Sequence, residues 1–254
     1  MINVVVFDTE TVDIEHPFCY NIGYKIADVE SGNTLLEREF IVKQVWENRM
    51  LFSTAYYSDK KALYREKMRK KEIIKERFET ICDQMIKDFE CYNVALAFAY
   101  NSEFDERVFE FNCEWLKANN PFDNIMVKDI MCFVHRFIAF REDYQAFCDK
   151  HSLYTESGNY STSAESVFRY ILQDTDFMEE HTALADSRIE FDILRTCVVE
   201  FGANVFENYK RYSSIPKKTP RTLVVVDTDG IEHSFDYVKK RNYQNGNKIV
   251  LKNS

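Results

Sequence analysis

The stretch INVVVFDTET, residues 2–11, decides how the rest of the chain is read. Its unbroken β-branched and aromatic run is the pattern of a short buried strand, and the strand ends at Asp8. In extended chain, residues two apart point to the same side, so Asp8 and Glu10 project together from that end. Two carboxylates so placed repel each other unless a cation lies between them. Oxygen-only ligands of this kind suit Mg²⁺ or Mn²⁺ better than zinc. Taken by itself, DTE also reads as a polar strand end facing water.

Outward from this strand, residues 21–30 and 35–43 read as two further strands, with ESGN (30–33) as the hairpin turn between them. From about Lys60 the pattern turns helical. Ile74, Phe78, Ile81, Met85 and Phe89 recur at helical steps and predict one long apolar stripe. VALAFAY (94–100) returns to strand, and Phe104, Val108, Phe111 and Trp115 mark the helix that follows. IMVKDIM (125–131) reads as one more strand. Residues 132–178 read as mostly helical around a polar loop, YTESGNYSTSAES, and helical spacing resumes at Ile189, Ile193, Leu194, Cys197 and Phe201. The pattern then breaks at Gly202, Ser213, Ser214, Pro216 and Pro220. Beyond the break, RTLVVVD and KIVLK flank the turn formers DTDG and QNGN, which predicts a small β appendage.

The bulk numbers restrict the alternatives. A chain of 254 residues suits one large domain, or one of roughly 200 residues with an appendage. No run of 18 apolar residues occurs, and MINVVVFDTE has no basic start, which argues against a membrane span and a signal peptide. Seven cysteines, an odd number with no CxxC pair, point to reduced thiols in a cytoplasmic compartment. The net charge is −9, yet residues 60–77 carry nine Lys/Arg against three Glu, and residues 210–254 carry ten against four acids. This predicts an acidic body with two basic patches; the first also reads as a solvated helix face.

Two more segments hold candidate chemistry. In AYNSEFDERVF, Asp105 opens a helix, where a carboxylate is also a natural cap, and Asn101 also reads as a turn residue. In EEHTALADSR, His181 and Asp186 frame the start of the last large helix. Their gap of five puts them on different faces if both are helical, so His181 is better placed on the entering loop, leaning over a site that Asp186 faces.

FDTET, YNSEFD and HTALAD resemble, in order, the three exonuclease motifs of the DEDD superfamily, in its histidine-containing DEDDh (DnaQ-like) branch. The resemblance covers roughly residues 2–200. It departs from the family pattern at Tyr100, where a histidine is common, and at Val12-Asp13, where Thr-Gly is frequent. It implies an α/β, ribonuclease H-like fold with a mixed central sheet flanked by helices, followed by the small C-terminal β appendage. The expected division is an exonuclease domain at 1–205, a linker at 206–219 and a basic appendage at 220–254. The resemblance further implies two divalent ions, Mg²⁺ or Mn²⁺, held by Asp8, Glu10, Asp105 and Asp186. Asp8 would bridge both ions, Asp105 would face the second, and His181 would be the general base. Thr11 and Val12 would touch the terminal nucleotide, with Asn101 a further candidate.

The implied activity is removal of nucleoside monophosphates from the 3′ end of single-stranded nucleic acid, DNA favoured. Rival readings are an exoribonuclease trimming RNA, a proofreading subunit docked on a polymerase through its appendage, and a silent binding module. The presence of all five catalytic residue types argues against the last.

Overall fold

In the computed structural model, the described residues are 2–52, 55, 60–202, 206 and 215, with the backbone of 221–226 and 232–237. The strands are β1 (Asn3–Thr11), β2 (Cys19–Asp28), β3 (Thr34–Val42), β4 (Ile74–Glu76), β5 (Leu96–Ala99) and β6 (Val127–Asp129). They form one sheet in the order β4-β3-β2-β1-β5-β6. β1–β2 and β2–β3 are antiparallel, and the remaining pairs are parallel. The sheet is mixed and flanked by helices, as the resemblance implied. The ESGN hairpin turns at Gly32, whose φ of +80° glycine adopts without a Cβ penalty.

The helices are α1 (Lys43–Trp46), α2 (Arg49–Phe52), α3 (Lys61–Lys70), α4 (Phe78–Cys91), α5 (Glu103–Leu116), α6 (Ile130–Phe133), α7 (Glu142–His151), α8 (Ala164–Leu172) and α9 (Ala183–Phe201). They cover both faces of the sheet, and β1 shows how. Val5 and Phe7 pack with Ile81, Met85, Val108 and Phe109 of α4 and α5. Val4 and Val6 pack with Ile189, Ile193, Leu194 and Cys197 of α9. All four β1 side chains are fully buried, so the apolar run of β1 serves two cores at once. Asp8 and Glu10 continue the parity of Val4 and Val6, which aims them toward α9.

Three expectations from periodicity need correction. The long stripe starting at Ile74 is broken: Lys71 ends α3 at a φ of +60°, and Ile74 lies in the edge strand β4, 49% exposed. Parallel pairing of β4 with β3 captures the segment before α4 can begin. On α5 the buried face is Asp105, Val108, Phe109, Asn112 and Cys113, whereas Trp115 is 41% exposed. Trp115 and Phe111 instead pack edge-on against Phe18 at the helix margin. The strand expected over 125–131 is confined to Val127–Asp129, because the Asp129 side chain accepts the Met131 N–H and starts α6.

The chain divides into two units, Met1–Ile215 and Pro216–Ser254. In the second, β7 (Arg221–Val226) and β8 (Glu232–Tyr237) pair antiparallel, and the turn expected at DTDG lies outside the described residues. The strand expected at KIVLK lies outside the described residues. All seven cysteines are free. Among the described residues, no helix is long and apolar enough to cross a membrane.

Candidate active site

Gly23 is the seat on which the site is built. It pairs with Asp8 across the β1–β2 ladder. A methyl group at Gly23 would overlap the backbone of Ala183 and Leu184, so α9 reaches the sheet only because no side chain stands there. Ser187 Oγ donates to the Gly23 carbonyl at 3.1 Å, and the Ala183 N–H donates to Asn21 Oδ1 at 2.9 Å. These contacts fix the first turn of α9, and with it Asp186, beside the end of β1.

Asp8, Glu10 and Asp186 thereby bring carboxylate oxygens within 4.8 Å of one another. Asp105 enters from α5, on the other face, and its Oδ1 accepts the Thr9 hydroxyl at 2.6 Å. Residues separated by most of the chain thus converge, and the Asp105 charge acts on Asp8. Glu10 and Asp105 are 9% and 3% exposed.

The electrostatics are correspondingly strained. Burial, and then the charges of Asp105, Glu190, Asp186 and Glu10, hold the Asp8 carboxyl well above its ordinary range. Burial and Asp186 push Glu10 up to about 8. Burial pushes Asp105 up to about 7 against the Thr9 hydroxyl, and Asp186 to about 7 against the pull of Lys60. Asp186 Oδ1 is buried and accepts no hydrogen bond. A buried carboxylate oxygen without a donor, in a cluster of like charges, is an arrangement that a bound cation would relieve. The donor set is all oxygen, which fits a hard divalent cation.

His181 lies on the loop entering α9, at a φ of +51°, with its side chain 37% exposed. Its Nδ1 is 3.5 Å from Glu179 Oε2. Atoms of Glu179, His181 and Asp186 also lie within 4.8 Å of one another. Burial, then the nearby Lys60 ammonium, lowers the His181 pKa, while Glu165 opposes the shift.

The candidate substrate residues are placed as follows. Thr11 ends β1, half-buried, and its hydroxyl donates to the Asp13 carbonyl at 3.0 Å. The Val12 side chain is buried in the core, and its N–H donates to the Phe18 carbonyl. Asn101 has a φ of +63°, and its N–H donates to Asp129 Oδ1. A cleft of about 570 Å³ is lined by Ile14, Asn101, Phe104, Arg107 and the glutamates Glu103, Glu106 and Glu110.

Sequence reasoning missed Gly23, Thr9, Lys60, Glu179 and Glu190. Glu190 is 4% exposed and accepts the Tyr100 N–H at 3.3 Å. It lies one helical turn beyond Asp186, a spacing that places both on one face and was available to the reader of the sequence. Burial and Asp186 push Glu179 up to about 8.

No family model matches the sequence, and no curated protein matches it. Solved structures do match in fold. The nuclease domain of 3′hExo, a DEDDh family member bound to rAMP, superposes with a TM-score of 0.55 at 12% identity, covering 82% of this chain and 96% of that one. E. coli exonuclease I in complex with a dT13 oligonucleotide gives 0.51 at 12% identity, covering 78% and 41%. The zinc-bound form of the same enzyme with single-stranded DNA gives 0.53 at 13%, covering 81% and 42%. The chain therefore spans about two fifths of exonuclease I. Its fold is the one shared with these nuclease structures.

Proposed function

We propose that this protein is a metal-dependent 3′–5′ exonuclease that hydrolyses single-stranded nucleic acid, DNA favoured, and releases nucleoside monophosphates. The observation that carries the reading is the convergence of Asp8, Glu10 and Asp186 oxygens within 4.8 Å on a DEDDh exonuclease fold. Asp8, Glu10, Asp105 and Asp186 would hold two divalent ions, Mg²⁺ or Mn²⁺. Bound there, such ions supply charge neutralisation at the phosphate, a more acidic water and stabilisation of the leaving 3′ oxygen.

The chain's own groups do the rest. His181 accepts the proton of the attacking water, and its lowered pKa keeps the imidazole in the basic form at neutral pH. Glu179, facing Nδ1, orients the ring. The Phe104 ring and the Ile14 side chain, which line a cleft with Asn101, would offer apolar surface for the terminal base, and Thr11 and the Val12 backbone would contact the terminal nucleotide.

An RNA substrate is the second reading, favoured by the rAMP in the structural neighbour that this chain covers almost fully. The test is a matched digestion of labelled single-stranded DNA, duplex DNA and RNA by wild type and Asp8→Ala. Mononucleotide release by wild type, abolished by EDTA and by the substitution, is expected. Equal release in excess EDTA would overturn the metal-dependent reading.

A further inference from the structure

The basic stretch 60–77 has an inner and an outer face. Arg69 and Lys70 point outward and pair with Glu66 on their own helix. Lys60, Tyr64 and Lys67 recur at four- and three-residue steps, the spacing of one helix face. That face grips the histidine loop. Lys60 Nζ donates to the Glu180 carbonyl and, at 3.0 Å, to the His181 carbonyl. The buried Tyr64 hydroxyl donates to Asn21 Oδ1 at 3.0 Å, the same oxygen that receives the Ala183 N–H. Lys67 Nζ reaches Glu180 Oε1 at 2.7 Å, and Thr182 Oγ1 and Glu39 Oε2 at 3.4 Å.

Four consecutive residues, 180–183, are therefore tied to α3 either directly or through Asn21. One ammonium, that of Lys60, thus meets two successive carbonyls, at a loop where His181 is left-handed with a φ of +51°. α3, the last of the helices between β3 and β4, reaches the loop that bears the imidazole, more than a hundred residues later in the chain.

We propose that α3 latches the histidine loop and that Lys60 is the positioning residue for His181. The consequence for turnover rests on the nuclease reading; the latch itself does not. Lys60→Met removes both carbonyl contacts while keeping the length of the side chain. Turnover should drop about 10- to 100-fold, as expected when a reacting group is misplaced by an ångström or so, with KM within about twofold. Hydrogen exchange in the 179–183 segment should quicken about tenfold or more. Lys60→Arg, which still presents several N–H donors to the carbonyls, should recover most of both.

A raised KM with unchanged kcat and a shallower salt dependence would overturn the latch, because that is how a phosphate-binding lysine behaves. Unaltered exchange in the loop would overturn it as well. If Lys60→Met does not fold, Lys67→Gln provides the same readouts from the other end of the latch. Failure of the nuclease reading is separately visible: Asp8→Ala would then match wild type in every digestion, whatever the exchange data show.

Discussion

His181 holds its place in a backbone conformation that residues other than glycine seldom adopt, at a cost of order 1–3 kcal/mol. The surroundings over-determine it: Lys60 fastens the carbonyl, Glu179 faces the ring and Thr182 begins α9. His181→Ala should lower kcat by about 10²–10⁴-fold and leave Mn²⁺ affinity nearly unchanged, measured by turnover and by calorimetric titration. In wild type the acid limb of kcat at saturating metal should fall below pH 6.5, the ordinary histidine value. The sign follows from the role: the base is lost as pH drops through a pKa that burial and Lys60 have lowered. An acid limb above that value would remove His181 from the proton transfer. Asp8, Glu10, Asp105, His181 and Asp186 were legible as candidates only together, because the three segments that carry them resemble exonuclease motifs in order; each alone reads as a strand end, a cap or a loop residue. Glu179 and Lys60 were not legible. In a chain with 42 acidic and 33 basic residues, one charge carries no mark until its partner, 120 residues away, is placed beside it.

At the scale of elements, α9 and β2 meet without an intervening side chain. Gly23→Ala should force α9 off the sheet, destabilise the fold by about 1–3 kcal/mol in denaturant titration, and weaken divalent-ion binding because Asp186 moves with the helix. A variant as stable as wild type with undiminished Mn²⁺ affinity would show that the seat is not needed. Strand reading succeeded for β1, β2, β3 and β5, short segments rich in apolar residues, with a β-branched run in β1 and the ESGN turn between β2 and β3. It failed at β4 and in the phase of α5. Ile74 is caught by backbone pairing with β3, which no periodicity encodes, and Phe111 and Trp115 find partners in Phe18 at the helix margin instead of in the core.

For the whole molecule, the fold concentrates buried carboxylates that would be exposed in the unfolded chain. Glu10, Asp105 and Asp186 titrate at about 8, 7 and 7 in the folded protein, against ordinary values near 4. Groups with raised folded pKa values favour the folded state at low pH, and that contribution is lost as pH climbs from the unfolded value through the folded one. Metal-free protein should therefore lose thermal stability between about pH 5 and pH 8. Added Mn²⁺ should raise Tm more at pH 8 than at pH 5, since protons compete with the ion for the same oxygens. A melting temperature indifferent to both would mean that these oxygens bind no cation.

The bare position opposite Asp8 also provides a criterion for distant kinship. A chain carrying acidic segments in the same order, but with a larger residue at the counterpart of Gly23, has to seat the helix that delivers the final aspartate farther from its sheet. Motif order and that bare position are therefore best weighed together.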